Sequence, residues 1–185
     1  MKKFVMLAFT FSLFAVMTLQ AQEINWVTYE EAVALQKKNP KKIMMDVYTN
    51  WCGPCKMLDR NTFQNKDVVD YVNKNYYAVK FNAEGNTVVN YKDKTFKNPG
   101  YDPAKANRRN SSHEFARFLK VRAYPTIAFL DEESKMITAL TGYHKPQQLE
   151  LYLKLFKDDK YKEMTTQEEF NKYYEGFTPE FKESK

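Results

Sequence analysis

Both cysteines of the 185-residue chain stand in one hexapeptide, Trp51, Cys52, Gly53, Pro54, Cys55 and Lys56 (W-C-G-P-C-K), so all of its thiol chemistry is at one place. Two thiols separated by two residues at the start of a helix close into a small disulfide and reopen, moving two electrons without a metal or an organic cofactor. A helix start is expected because Pro54 suits an early helical position, where its N–H has no intrahelical use, and Gly53 lets another backbone approach the sulfur. Cys52 then lies in the first turn, where unpaired N–H groups and the positive end of the dipole stabilise an anion. Its pKa is expected below that of a free thiol, with Cys55 one turn deeper as the resolving thiol. The implied chemistry is attack by the Cys52 thiolate on a disulfide, a mixed disulfide, and release when Cys55 attacks Cys52.

Other uses of two cysteines fit less well. A structural disulfide staples distant parts of a chain, whereas this one closes only a tiny loop. A zinc finger would need the two histidines three to five residues apart, and thirty residues lie between His113 and His144, so no metal is expected. Each histidine by itself reads as a surface or loop residue.

W-C-G-P-C-K after a hydrophobic strand resembles thioredoxin, and further positions match. In Ile43, Met44, Met45, Asp46, Val47 and Tyr48 an apolar strand carries one acid six residues before Cys52, where thioredoxins keep a buried carboxylate. The resemblance implies that Asp46 handles the proton of the resolving Cys55 through water, and that Lys80, in Val79 to Asn82, pairs with Asp46 and tunes it. A buried carboxylate without a partner costs several kcal/mol or neutralises itself, so the acid and the lysine support each other's assignment. Tyr124, Pro125 and Thr126 resemble the loop in which a cis proline faces the two cysteines, with the Tyr124 backbone pairing an extended substrate segment. Gly142 resembles the family's glycine after the last strand.

The stretch Lys56 to Phe63, with Asn65, Val68, Val69 and Tyr71, is closer to the envelope thioredoxin-like group that includes the C-terminal domain of the bacterial transmembrane thiol:disulfide interchange protein. The resemblance covers about residues 24–156. It implies a thioredoxin fold of class α/β, a central mixed sheet flanked by helices, with an insertion before the cis-proline loop and a helical C-terminal extension.

Lys2 and Lys3 precede an uncharged stretch from Phe4 to Gln22, which reads as a Sec signal peptide over residues 1–21; Leu19 is not the preferred small residue, so an uncleaved anchor stays open. Either way a periplasmic or envelope location is expected. Removing 21 of the 185 residues leaves 164, enough for one domain but not comfortably two. The thioredoxin-like domain is placed at 22–156 and an extension at 157–185. Losing Lys2 and Lys3 takes the formal charge from +6 to +4, too little to imply nucleic acid, and no finger, recognition helix or ordered basic stripe is present. The cluster Lys37, Lys38, Lys41 and Lys42 reads as a solvated helix end.

Thr28 with Glu31 predicts a capped helix, followed by strand 43–48, the active-site helix, a helix near 65–73, a strand at 76–82 and a helix opened by Ser111 with Glu114. Strands at 126–130 and 136–141, turning at 131–134, and a helix at 146–156 complete the alternation, which implies a layered α/β sandwich. Val33 and Leu35, and Leu149, Leu151, Leu153 and Phe156, are expected to pack inward.

Residues 84–111 carry six basic and three acidic residues, and are either a solvated excursion or a flap that selects substrates or partners. In the extension, Thr166 and Glu169 form a capping box ahead of Phe170, Tyr173, Tyr174 and Phe177. An amphipathic helix is expected there, its aromatics docked on the domain's own sheet or on another protein.

The Gly-Pro pair between the cysteines resembles reducing thioredoxins. The resemblance thus implies a thiol-disulfide reductase acting on envelope protein disulfides, with no cofactor beyond its redox-active disulfide and with electrons from a membrane donor of the transmembrane disulfide reductase type. Disulfide oxidase or isomerase, and a redox-silent interaction module, remain alternatives.

Overall fold

The computed structural model describes residues 23–183, so the expected signal peptide lies outside the described residues. Strands β1 (Trp26–Val27), β2 (Lys42–Tyr48) and β3 (Tyr76–Asn82) are mutually parallel, and β6 (Thr126–Leu130) and β7 (Met136–Thr141) add antiparallel, giving the order β1-β3-β2-β6-β7. The two middle strands read as unbroken apolar runs because helices cover both of their faces. Alternate residues therefore feed two cores. Met44, Ile127 and Phe129 meet Leu58, Phe63, Val68, Val72, Leu149 and Leu153 on one face, while Ile43, Met45, Ala128 and Leu130 meet Tyr29, Ala32, Phe81 and Phe115 on the other.

The helices follow from their caps. Helix α1 (Tyr29–Gln36) opens with the expected Thr28–Glu31 box, and α3 (Lys66–Asn75) starts where the Asn65 side chain accepts from Asp67 and Val68. Helix α2 (Gly53–Leu58) runs on through a π-helical stretch, Asp59–Phe63, and α5 (Pro146–Lys157) begins on its proline. Val33 is half-buried, but Leu35 lies exposed on the outer side of α1, whose inward positions are Tyr29, Ala32 and Gln36.

Lys42 departs from its expected solvated place. It is buried and held by Glu132 at 2.7 Å and Asp159 at 3.0 Å. Burial works against its charge, yet the hydrogen bonds and charges of those carboxylates leave its pKa above the ordinary lysine value.

Residues 84–111 are anchored to the domain at a few buried positions, while most of their residues stay exposed. Strands β4 (Val89–Tyr91) and β5 (Lys94–Phe96) form a hairpin whose turn residue Lys92 takes φ 52°, and Tyr91 and Phe96 lie against Phe115 at 5.8 and 5.4 Å. The Asn98 amide ties the two ends of the segment by donating to the carbonyls of Gly85 (2.9 Å) and Ser111 (2.7 Å). Helix α4 (Glu114–Phe118) is capped by His113, not Ser111. Glu114 is drawn instead to the Lys97 N–H (2.8 Å), and the His113 N–H is fixed on the Ala83 carbonyl (2.8 Å). His113 is fully buried, contrary to the loop position expected of it. Its Nδ1 accepts from the Phe115 N–H, and Nε2 donates to the Thr87 carbonyl at 2.7 Å. His144 is likewise turned inward, and burial holds both imidazoles below the usual histidine pKa.

The extension docks on its own domain, over α5 and against Ile137 and Leu140 of β7, the last strand of the sheet. Helix α6 (Gln167–Gly176) opens with the Thr166–Glu169 box, and Phe170 stacks on Tyr152 of α5 at 6.4 Å. Beyond it the chain returns to α3 and α5. Phe181 meets Tyr71, and the wholly buried Glu150 carboxylate accepts the N–H groups of Glu180 and Phe181 at 2.8 Å each.

Candidate active site

The parallel strands β2 and β3 end together, and the chain leaving β2 turns at Thr49, where the Cys52 N–H donates to the Thr49 carbonyl at 3.1 Å. This delivers Cys52 to the N-cap of α2. The two cysteines form a disulfide with sulfurs 2.12 Å apart, and Cys52 Sγ accepts the Cys55 N–H at 3.1 Å. A backbone donor is therefore already aimed at the sulfur that would carry charge in the reduced pair. Both cysteines are almost fully buried, and Gly53 is exposed with no atom within 4 Å of where a Cβ would stand. Among the described residues nothing demands a glycine there, and the space over it is open.

Alternation puts Met44, Asp46 and Tyr48 on the sheet face that α2 covers, and Lys80 is the register partner of Asp46 on β3. Asp46 is 2 % exposed, and its Oδ2 lies 3.7 Å from Lys80 Nζ while Oδ1 has no hydrogen-bond partner among the described residues. The expected lysine is present but shared. Asp59, from the π-helical stretch after α2, makes the closer contact with Lys80, whose ammonium also lies 5.1 Å from the Trp26 ring centre and 5.3 Å from that of Tyr48. Burial consequently prevails over the attraction of Lys80, and with the Asp59 charge adding to it pushes the Asp46 carboxyl up to about 7. Such a group takes up or gives up a proton near neutral pH.

The Tyr124–Pro125 peptide is cis, and the Pro125 carbonyl accepts the N–H of Gly142, whose φ of +99° suits a residue without Cβ. Tyr124 is half-buried and meets the edge of Trp51 at 6.1 Å. Thr126 turns inward: it is fully buried and its Oγ1 donates to the Ala123 carbonyl at 2.8 Å, so its side chain holds the loop and faces no substrate. Cys52, Cys55, Trp51 and Tyr124 thus come together at the motif, with Asp46 and Lys80 on the sheet behind it.

Sequence reasoning missed three contributors. Asp59 stands seven positions after Cys52, two helical turns on, and that spacing was the available signal. The other two come from residues 84–111. Glu84 Oε2 accepts both the Trp51 indole N–H (2.7 Å) and the Asn110 N–H (2.8 Å), and the Arg109 guanidinium lies 4.9 Å over the Trp51 ring. Asn50 further ties the segment down by donating to the Ala106 carbonyl at 2.8 Å. No local pattern announces these pairings, because they are made between residues tens of positions apart.

Among the described residues no group of three or more histidine, cysteine, aspartate or glutamate side chains is arranged to hold a metal ion, and no helix is long and apolar enough to cross a membrane.

The family model of the thioredoxin-like domain matches residues 29–157. The thiol:disulfide interchange protein DsbD of Pectobacterium atrosepticum is 26 % identical over 121 residues, which cover 64 % of this chain and 17 % of that protein. The DsbD of Pseudoalteromonas atlantica is 24 % identical over the same shares. The match thus spans about one-sixth of the length of these curated relatives. Among solved structures, a thioredoxin from Thermus thermophilus superposes with a TM-score of 0.53 at 16 % identity, covering 72 % of this chain and 87 % of that one. A thioredoxin-fold protein from Helicobacter pylori gives 0.51 at 22 % identity, covering 74 % and 81 %. These likenesses establish the fold, and the matched family model, spanning the Cys52–Cys55 pair and the cis-proline loop, makes the chain a member of the thioredoxin-like domain family.

Proposed function

We infer that this chain is a thiol-disulfide reductase of envelope proteins, working through the Cys52/Cys55 dithiol. The observation that carries the reading is the arrangement at the head of α2, where Cys52 Sγ receives a backbone N–H and Cys55 lies within bonding distance of it. In the reduced protein the Cys52 thiolate attacks one sulfur of a substrate disulfide; a new S–S bond forms and the other substrate sulfur leaves as a thiolate. Cys55 then loses its proton and attacks Cys52 Sγ, which closes the protein disulfide and releases the second substrate thiolate. Two electrons have passed from protein to substrate. Asp46, with its carboxyl near 7, is suited to take the Cys55 proton through water, and the Lys80–Asp59 contact keeps the lysine from fully satisfying Asp46.

The likeness to part of two thiol:disulfide interchange proteins supports disulfide-bearing protein partners, and the Gly-Pro pair supports the reducing direction. With residues 1–21 acting as a Sec signal, re-reduction falls to a membrane donor similar to the transmembrane disulfide reductase. The test is the equilibrium reduction potential of the Cys52/Cys55 couple in the purified protein. A value near about −270 mV agrees with a reductase, one near about −120 mV makes the protein an oxidant, and no reversible couple leaves only an interaction module.

A further inference from the structure

The reductase reading leaves Arg109 unexplained. Its guanidinium lies over the indole of the tryptophan that precedes the nucleophilic cysteine, and it is exposed. Among the described residues it makes no ion pair, and Glu84, which holds the same indole, has its Oε2 taken by the N–H groups of Trp51 and Asn110. The arginine is not held there by chance of a floppy loop. Its neighbour Asn110 is pinned twice, by its own N–H to Glu84 and by its side chain to the Asp102 carbonyl (2.8 Å), and Ala106 is held by Asn50.

The other segments around the motif carry the same sign. Lys56 on α2 and Arg122, two residues before Tyr124 on the cis-proline loop, are both exposed and make no ion pair among the described residues. A guanidinium over an aromatic face keeps N–H groups to offer, and its planar fork matches a carboxylate in two-point fashion.

We propose that residues 84–111 make the site selective, with Arg109 as a specificity-determining residue that binds an aspartate or glutamate flanking the cysteine of a substrate disulfide. The proposal rests on the reductase reading, since it needs a substrate segment lying across Trp51 and Tyr124 while Cys52 attacks. During that attack the electron bookkeeping is unchanged: the dithiol is oxidised to the Cys52–Cys55 disulfide, the substrate disulfide is reduced to two thiols, and Arg109 supplies only attraction. Because the contact is exposed, it acts mostly on the rate of productive encounter and weakens with salt.

The experiment is a single-turnover measurement with the pre-reduced protein and three peptides that share one intramolecular disulfide and differ in the flanking residues: glutamate, glutamine or lysine. The protein is expected to react about fivefold or more faster with the glutamate peptide than with the lysine peptide at low ionic strength, the ratio shrinking toward one in about 0.5 M salt. Arg109→Glu is expected to invert the ratio, Arg109→Gln to collapse it, and Arg109→Lys to keep most of it. A ratio near one in the unaltered protein, or a ratio that survives Arg109→Glu, overturns the proposal. The glutamine peptide separates the two failures: if the unaltered protein does not reduce it either, the reductase reading falls and takes the proposal with it. If it is reduced with no preference among the three, only the selectivity falls.

Discussion

Two segments extend this domain beyond its sheet and helices, and they are fastened to opposite faces by different chemistry. Residues 84–111 are polar, and buried or half-buried polar side chains hold them: His113 between Phe115 and Thr87, Asn98 across the segment's ends, Glu84 between Trp51 and Asn110. The C-terminal extension is aromatic, and Phe170, Tyr161 and Phe181 pack over α5 and α3 while a single buried carboxylate, Glu150, takes its backbone. The first segment reaches the tryptophan beside the disulfide. The second sends most of its polar contacts to α3, α5 and their caps, and through Asp159 reaches Lys42 at the start of β2. Composition alone thus misjudges both: polarity did not make the insertion loose, and aromatic residues did not make the tail a docking arm.

The sharpest way to break the contrast is to loosen the insertion from inside. His113→Ala removes both ring hydrogen bonds and the edge contact with Phe81 at 5.2 Å, and is expected to cost about 3–4 kcal/mol in urea unfolding. The pH dependence has a definite sign. Burial holds the folded-state pKa below the ordinary value of 6.5, with the pull of the Thr87 hydrogen bond and Glu114 opposing it, so the contribution is complete above pH 6.5 and is lost as pH falls below it. The unaltered protein is therefore expected to lose more stability between pH 7 and 5 than His113→Ala, and His144, present in both, cancels in the comparison. Equal stability of the two proteins at pH 7 would return the insertion to a draped loop.

Asp46, on the sheet face that α2 covers, titrates in the reverse sense. Its pKa is about 7 in the folded protein against 3.8 for the free group, so between those values the native state holds a proton that the unfolded chain has released. Stability falls as pH rises through that window, and above 7 the penalty is complete. Asp46→Asn is expected to abolish the slope and to stabilise the protein by about 2–4 kcal/mol at pH 8, while slowing release of the mixed disulfide. A less stable variant at pH 8 would mean that Lys80 compensates the charge after all.

Strand and helix positions were legible in the sequence wherever a single element carries its own signal. The apolar runs at 43–48 and 126–130, the Thr28 and Thr166 capping boxes, and Pro146 at the first turn of α5 each declare themselves locally. What stayed hidden depends on distant partners. Strand β1 has two residues, too few for any period, and exists because Ala78 and Val79 pair with it. The β4–β5 hairpin turns on Lys92 in the left-handed region, not on a glycine or asparagine that would have marked it. At the site, the disulfide motif, Asp46, Lys80 and the proline loop were readable, whereas Asp59, Glu84 and Arg109 acquire their roles only when the chain folds back on Lys80 and Trp51.

The tail side of the comparison predicts a loss of stability without a loss of chemistry. Glu150→Ala strips the acceptor from the Glu180 and Phe181 N–H groups and leaves Lys154 with Glu180 alone. About 2 kcal/mol is expected from the orphaned donors, read by urea unfolding, with the rate of disulfide reduction within twofold of the unaltered protein. A tenfold fall in that rate, with folding intact, would show that the tail communicates with the motif.

The smallest effect is the most discriminating. Glu84→Gln keeps a carbonyl oxygen for Trp51 and Asn110 but removes the charge that strengthens both bonds, a loss of about 1 kcal/mol by the usual difference between charged and neutral acceptors. Stability alone would barely register it. Trp51 reports it directly, because its indole N–H is the donor concerned; in a Trp26→Phe background the emission of Trp51 is expected to shift on Glu84→Gln and to stay put on Glu150→Ala. The same substitution removes a negative charge bonded to the indole that lies under Arg109, so the preference for the glutamate-flanked peptide is expected to rise. A spectrum that follows Glu150 and ignores Glu84 would assign the tryptophan to the tail's face of the sheet, and the contrast between the two segments would be the wrong way round.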